Sequence, residues 1–258
     1  MSLSRVFKLS LAILICLLTF TEAQANKGKK GKKKKTEHTQ YTPEEGSAEL
    51  SKKKKKTKVK IDPSLPYVLI IGDSISIGYT PTVTELLKGK ANIIHNPGNA
   101  EGTTRGLENL PSWLAEHKWD LIHFNWGLHD LKRVKVAGTS QNSKSPDDPY
   151  QATVEKYTEN MKKLVTQLKA TGVKLIFATT TPYPTVNNPY RDEKDAAIYN
   201  AAALKIMEAN NIQINDLHGL VKDRLKELQK PKNVHFKPSG SAALGKQVAE
   251  AIQTALSK

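Results

Sequence analysis

The run Tyr67–Ile71 leads straight into Gly72-Asp73-Ser74-Ile75-Ser76-Ile77-Gly78, and Ser74 is the first side chain placed where chemistry is expected. In an open parallel sheet, ligands bind beyond the carboxyl ends of the strands, so a serine that ends an apolar run is a candidate nucleophile. The same hydroxyl could instead cap the helix that follows, and position alone does not separate the two readings. Ser76 offers a second hydroxyl two residues on. Three further segments carry the polar groups such a serine would need: Asn96-Pro97-Gly98-Asn99, Asn125-Trp126-Gly127-Leu128-His129-Asp130 and Asn233-Val234-His235-Phe236. A serine hydroxyl is a poor nucleophile until a base removes its proton, and histidine is the usual base near neutral pH.

Elements must bring these segments together. Beyond Pro63 short apolar runs alternate with longer amphipathic ones. Tyr67–Ile71, Ala91–His95, Leu121–Trp126, Val173–Ala178 and Ile212–Asn215 are nearly continuous in apolar character, as strands buried on both faces of a parallel sheet require. Gln151–Ala170 sets Val154, Tyr157, Met161, Leu164, Val165 and Leu168 at helical spacing before Gly172, a natural stop. Ala196–Asn210 and Leu217–Leu228 read as further helices, and Gly240–Leu256 closes the chain. Five strands alternating with helices predict a three-layer α/β/α domain over residues 63–258 with a five-stranded parallel sheet. All four polar segments then fall at strand ends or in loops along one edge.

On these four segments the chain resembles the SGNH (GDSL-like) hydrolases, over roughly residues 66–256. Gly72-Asp73-Ser74 matches the opening block of that family, Gly98 falls in its glycine block, Gly127-Leu128-His129-Asp130 stands in its third block, and His235 takes the place of its terminal histidine. The resemblance implies a flavodoxin-like sheet and hydrolysis of an ester through an acyl-enzyme on Ser74, with His235 as base and no metal or cofactor. It also implies an oxyanion hole from the backbone N–H groups of Ser74 and Gly98 plus one side chain. Two positions depart from the family pattern. His129 replaces the asparagine of the third block, so the side-chain donor is either the His129 imidazole or Asn125. Lys232 stands where an acid three residues before the histidine is usual, and lysine cannot accept the imidazole N–H. The base is then oriented by a backbone carbonyl, by Asn233 or by a carboxylate elsewhere, Asp130 being the candidate acid.

Other signals carry less. Gly240 to Lys246 has the glycine and lysine spacing of a phosphate-binding loop, but Gln247 replaces the magnesium-ligating hydroxyl and no strand precedes it. His95, His123 and His129 lie near strand ends, where single histidines are usually satisfied core residues. Trp113 and Trp119 read as packing, and Trp126 as a side chain that could line the site. Residues 131–150, rich in Ser, Lys, Asp and Pro, are expected to shape the pocket.

The chain has 258 residues and a formal net charge of +15, unevenly spread. Residues 1–60 hold 16 Lys+Arg against five Asp+Glu, and the remainder holds 24 against 20. Arg5 and Lys8, the apolar Leu9–Phe20 stretch and Ala23-Gln24-Ala25 read as a signal peptide over residues 1–25, too short in its apolar part to span a bilayer. Cleavage would remove Cys16, the one cysteine, and with it any disulfide or thiolate chemistry. Residues 26–62 read as a disordered linker whose 14 lysines repel one another. The expectation is a secreted or periplasmic protein with no transmembrane segment after cleavage. Its partners are an ester substrate, with acetylated carbohydrate favoured, and an anionic polymer or surface held by the lysine tail; no nucleic acid is expected. A lipase or thioesterase of the same family and a non-catalytic surface- or carbohydrate-binding relative are the alternatives.

Overall fold

The structure is a computed structural model, and it describes residues 61–257. The signal-peptide reading and the lysine tail up to residue 60 lie outside the described residues. In chain order the elements are β1 (Tyr67–Ile71), α1 (Ser74–Leu86), β2 (Asn92–His95), α2 (Thr103–Ala115), β3 (Leu121–Phe124), α3 (Val154–Ala170) and β4 (Lys174–Ala178). There follow β5 (Val186–Asn187), β6 (Tyr190–Arg191), α4 (Asp195–Ala209), β7 (Gln213–Asn215), α5 (Leu217–Val221), α6 (Leu225–Leu228) and α7 (Pro238–Leu256).

The five predicted strands form one parallel sheet in the order β2-β1-β3-β4-β7, the flavodoxin-like arrangement. Its register sets Val68 against Leu121 and Ile71 against Phe124, so β1 and β3 end level. Alternate residues feed two cores. Leu69, Ile71, Ile122, Phe124 and Phe177 pack with Leu110 of α2, Tyr157 and Met161 of α3 and Ala203 of α4 on one face. Val68, Ile70, Ile176 and Ala178 pack with Tyr79 and Val83 of α1, Val221 of α5 and Leu244 and Val248 of α7 on the other. This is a three-layer α/β/α fold.

Local chemistry sets the boundaries. α3 starts three residues later than predicted, because Thr153 caps it by accepting from Lys156 N–H at 3.3 Å. The predicted helix 217–228 is two short pieces, with Asp216 capping α5. Gly240–Lys246 lies within α7 and forms no loop. Ile61 and Asp62, counted with the linker above, are described, and Asp62 N–H donates to Asn92 Oδ1 at 2.9 Å. The 131–150 segment folds back on itself through isolated bridges, with the Arg133 guanidinium 3.6 Å over the Tyr150 ring. No helix among the described residues is long and apolar enough to cross a membrane.

Candidate active site

β1 delivers Ser74 to the first position of α1, and the cap of that helix is Asp73, whose carboxylate accepts from Ile75 N–H at 2.8 Å. The capping role considered for Ser74 is therefore taken by its neighbour, and the Ser74 hydroxyl is free to turn outward. It meets His235 Nε2 at 2.9 Å, across 161 residues of sequence. Ser76 is spent differently. It is 2% exposed, and its Oγ lies 2.6 Å from His95 Nε2 and 2.7 Å from Asp73 O. Gly72 makes room for it, since a Cβ there would sit 2.6 Å from Ser76 Oγ.

His235 stands in a turn between α6 and α7. Its Nδ1 lies 2.7 Å from Asn233 Oδ1, and its own backbone N–H donates to the same oxygen at 2.9 Å. The backbone contact matters because a peptide N–H can only donate, so the amide oxygen, not the NH2, must face the ring. Nδ1 therefore carries the proton, and Nε2 presents its lone pair to Ser74 Oγ–H. Partial desolvation of the ring is the main cause that lowers the His235 pKa below its usual 6.5, with Lys230 and Arg191 adding to it. The ring is thus neutral at pH 7. Lys232, at the position usual for the family's acid, is exposed and takes a left-handed φ of 52°, which turns the chain so that Asn233 reaches the imidazole.

Gly98 follows β2 with φ of 68°, a conformation glycine adopts without strain. Asn96 fastens this loop beside the Ser74 turn, its Oδ1 accepting from Gly72 N–H at 2.9 Å. Among the described residues, neither Ser74 N–H nor Gly98 N–H has a hydrogen-bond acceptor.

The third segment separates its candidates. Asn125 Nδ2 donates to Ala178 O at 2.7 Å and Thr180 Oγ1 at 3.3 Å, so this amide ties the exit of β3 to that of β4. Asp130, offered above as an orienting acid, is 1% exposed and serves α2. Its Oδ1 accepts from Thr103 N–H at 2.8 Å and from Thr103 Oγ1 at 2.5 Å. Desolvation pushes its pKa up to about 7. The structure brings it to the start of α2 and not to His235, whose Nδ1 is held by Asn233.

His129 is half-buried, its Nδ1 is buried without a partner, and desolvation holds its pKa well below 6.5, followed by the charges of Lys132, Arg191 and His235. It is a neutral imidazole beside the Ser74–His235 pair. Trp126 is 1% exposed and packs on Gly106, where a Cβ would lie 2.8 Å from its ring, so it belongs to the core and does not line the site. His123 pairs with Asn215 at 3.2 Å inside the sheet and His95 with Ser76, so each of these two has its own partner.

Sequence reasoning passed over Arg191 and Lys132. Each is 5% exposed, and Arg191 Nε donates to Leu128 O at 2.8 Å. Arg191 lies in the second strand of a proline-containing hairpin with no motif around it, and Lys132 sits in a lysine-rich loop where a cation is unremarked.

The fold has solved counterparts. A lipase/acylhydrolase from Enterococcus faecalis aligns with a TM-score of 0.60 and 20% identity over 74% of this chain and 96% of its own. A catalytic mutant of an acetylxylan esterase from Geobacillus stearothermophilus gives 0.59 and 16% over 72% and 94%. A GDSL-like lipase from Bacteroides thetaiotaomicron gives 0.58 and 16% over 73% and 88%. At these identities the likeness is one of fold. No curated protein matches the chain. The model of the GDSL-like lipase/acylhydrolase family matches residues 70–243, from the strand that carries Ser74 to beyond His235, and the chain belongs to that family as an ester hydrolase of the SGNH type.

Proposed function

We propose that this protein is a secreted serine esterase that removes acetyl groups from carbohydrate esters. The observation that carries the catalytic part is the relay Ser74 Oγ to His235 Nε2 at 2.9 Å and His235 Nδ1 to Asn233 Oδ1 at 2.7 Å. In this reading His235 takes the Ser74 proton as Oγ attacks the ester carbonyl. The tetrahedral oxyanion is met by the N–H groups of Ser74 and Gly98 and by the neutral His129 imidazole, donors set in place before charge develops. The N-terminus of α1 adds its positive end. His235 then protonates the departing alcohol oxygen, leaving the acyl group on Ser74. Water, losing its proton to the same nitrogen, attacks the acyl carbonyl and frees the acid and the serine.

One likeness supports an acetyl group on a sugar. Acetylxylan esterases share the fold. Secretion rests on the N-terminal sequence alone. The test is hydrolysis of nitrophenyl acetate against the butyrate and octanoate, with Ser74→Ala as control. The acetate should be turned over fastest, Ser74→Ala should abolish turnover while melting like the parent, and a fluorophosphonate should label Ser74. Labelling at Ser76, or activity surviving in Ser74→Ala, would overturn the assignment.

A further inference from the structure

The Ser74–His235 pair has two buried cations beside it that hydrolysis of a neutral ester does not require. Arg191 is anchored only through Nε, on the carbonyl of Leu128, the residue before His129. Among the described residues its two terminal nitrogens have no hydrogen-bond partner and no carboxylate within ion-pair distance. They are also absent from the fully enclosed polar atoms, so they keep contact with solvent. Lys132 begins the loop after His129, and its N–H donates to His129 O at 3.4 Å. Its Nζ likewise has no hydrogen bond or ion pair among the described residues.

The electrostatics agree with this placement. Both cations act on His129, and Arg191 acts on His235 as well. Desolvation lowers the Lys132 pKa to about 8 and that of Arg191 to about 10, so both stay charged at pH 7. The carboxylates that help are Asp73 for Arg191, and Glu101 and Asp130 for Lys132. None forms an ion pair with them. Asp73 caps α1, Asp130 holds Thr103, and Glu101 lies 3.7 Å from Arg105.

Arg191 and Lys132 are each 5% exposed, and Arg191 acts on Lys132 as a like charge, so both lose hydration and gain repulsion, a cost that most proteins offset with a bound or built-in anion. Among the described residues neither cation has an ion-pair partner, their terminal nitrogens are not among the enclosed polar atoms, and Arg191 is anchored on the residue before His129. We infer that Arg191 and Lys132 hold an anionic substituent, a carboxylate or sulfate, on the carbohydrate whose ester Ser74 attacks. The planar fork of Arg191 suits two oxygens of such a group, and Lys132 supplies a point charge to a third. The site is thereby specific for acetylated acidic glycans. This inference rests on the proposed esterase reading and names its substrate class.

The experiment compares kcat/KM on three oligosaccharide acetates, one neutral, one bearing uronic acids and one sulfated, for the full chain and for Arg191→Gln and Lys132→Gln. Hydrogen bonds to a charged group are worth enough that each substitution should reduce the preference for an anionic over the neutral acetate by about 10- to 100-fold. The loss should appear mainly in KM. Whichever anionic substrate loses more identifies the group as carboxylate or sulfate. If Arg191→Gln does not fold, as shown by its melt, Lys132→Gln and inhibition of the parent by free glucuronate and by glucose sulfate carry the same question. A parent enzyme that cleaves nitrophenyl acetate but shows no preference for either anionic acetate overturns the inference and leaves the esterase intact. Equal losses on neutral and anionic substrates also overturn it, since they place the cations on the oxyanion. No cleavage of any ester, with Arg191-dependent binding of the acidic oligosaccharide by calorimetry, removes the esterase reading and keeps the anion site.

Discussion

Replacing Asn233 with aspartate tests how His235 is set, and its size can be worked from the geometry. Asn233 Oδ1 accepts two N–H groups, His235 Nδ1–H at 2.7 Å and His235 backbone N–H at 2.9 Å. Aspartate keeps that acceptor and both hydrogen bonds, and it adds a negative charge next to the imidazolium that forms in the proposed mechanism as His235 takes the Ser74 proton. Two unit charges about 4 Å apart attract by about 1 kcal/mol in water and about 4 kcal/mol at an effective dielectric of 20. His235 is exposed, so screening holds the gain near the lower figure, about 1–2 kcal/mol. At 1.36 kcal/mol per tenfold, Asn233→Asp should raise kcat by about 5- to 30-fold on nitrophenyl acetate. The same charge favours the protonated ring, so the acidic limb of the kcat/KM profile should move to higher pH. In the parent that limb lies below 6.5, because partial desolvation of the ring, Lys230 and Arg191 lower the His235 pKa. Asn233→Ala removes the acceptor, frees the tautomer and should cost at least about 100-fold, by analogy with the loss of orientation in serine proteases. Lys232→Asp, at the position where the family carries its acid, should change kcat less than threefold, since Nδ1 is already held. If Asn233→Asp shifts neither the rate nor the limb while Lys232→Asp raises activity, the orienting role assigned to Asn233 is wrong.

Asp130 makes a stability prediction with a definite sign. Its folded pKa of about 7 lies above its ordinary 3.8, so its contribution is fully present below 3.8 and is lost as pH rises through 7. Asparagine cannot ionise, so the stability of Asp130→Asn relative to the parent should grow from pH 4 to pH 7, by up to about 4 kcal/mol, in denaturant titrations. A difference that stays flat over that range would show that the carboxyl is not raised. The lysine tail gives a third expectation: residues 26–60 carry 14 lysines against four acids. A chain starting at Ile61 should keep its rate on a small ester but lose most low-salt retention on sulfated polysaccharide, because polycation binding is driven by counterion release. Equal retention across a salt series would leave the tail as a plain linker.

The fold class and the position of Ser74 at the sheet's edge were legible because they depend on local pattern. Five apolar runs without alternation demand a sheet buried on both faces, and the strand-to-helix junction at Gly72-Asp73-Ser74 puts a hydroxyl at the sheet's carboxyl edge whatever the rest of the chain does. What the sequence left open were choices among chemically equivalent partners. Asp73 and Ser74 can both cap a helix; the carboxylate takes Ile75 N–H and leaves Oγ to His235. Asn233 and Asp130 can both accept an imidazole proton; a left-handed turn at Lys232 delivers the first, while the start of α2 consumes the second. Asn125 and His129 can both donate, but the amide is drawn to Ala178 across the sheet. Arg191 and Lys132 had no local signature, since an unpaired buried charge is defined by what surrounds it. Such assignments depend on distances between segments as much as 161 residues apart, and only the packed sheet and its loops set those distances.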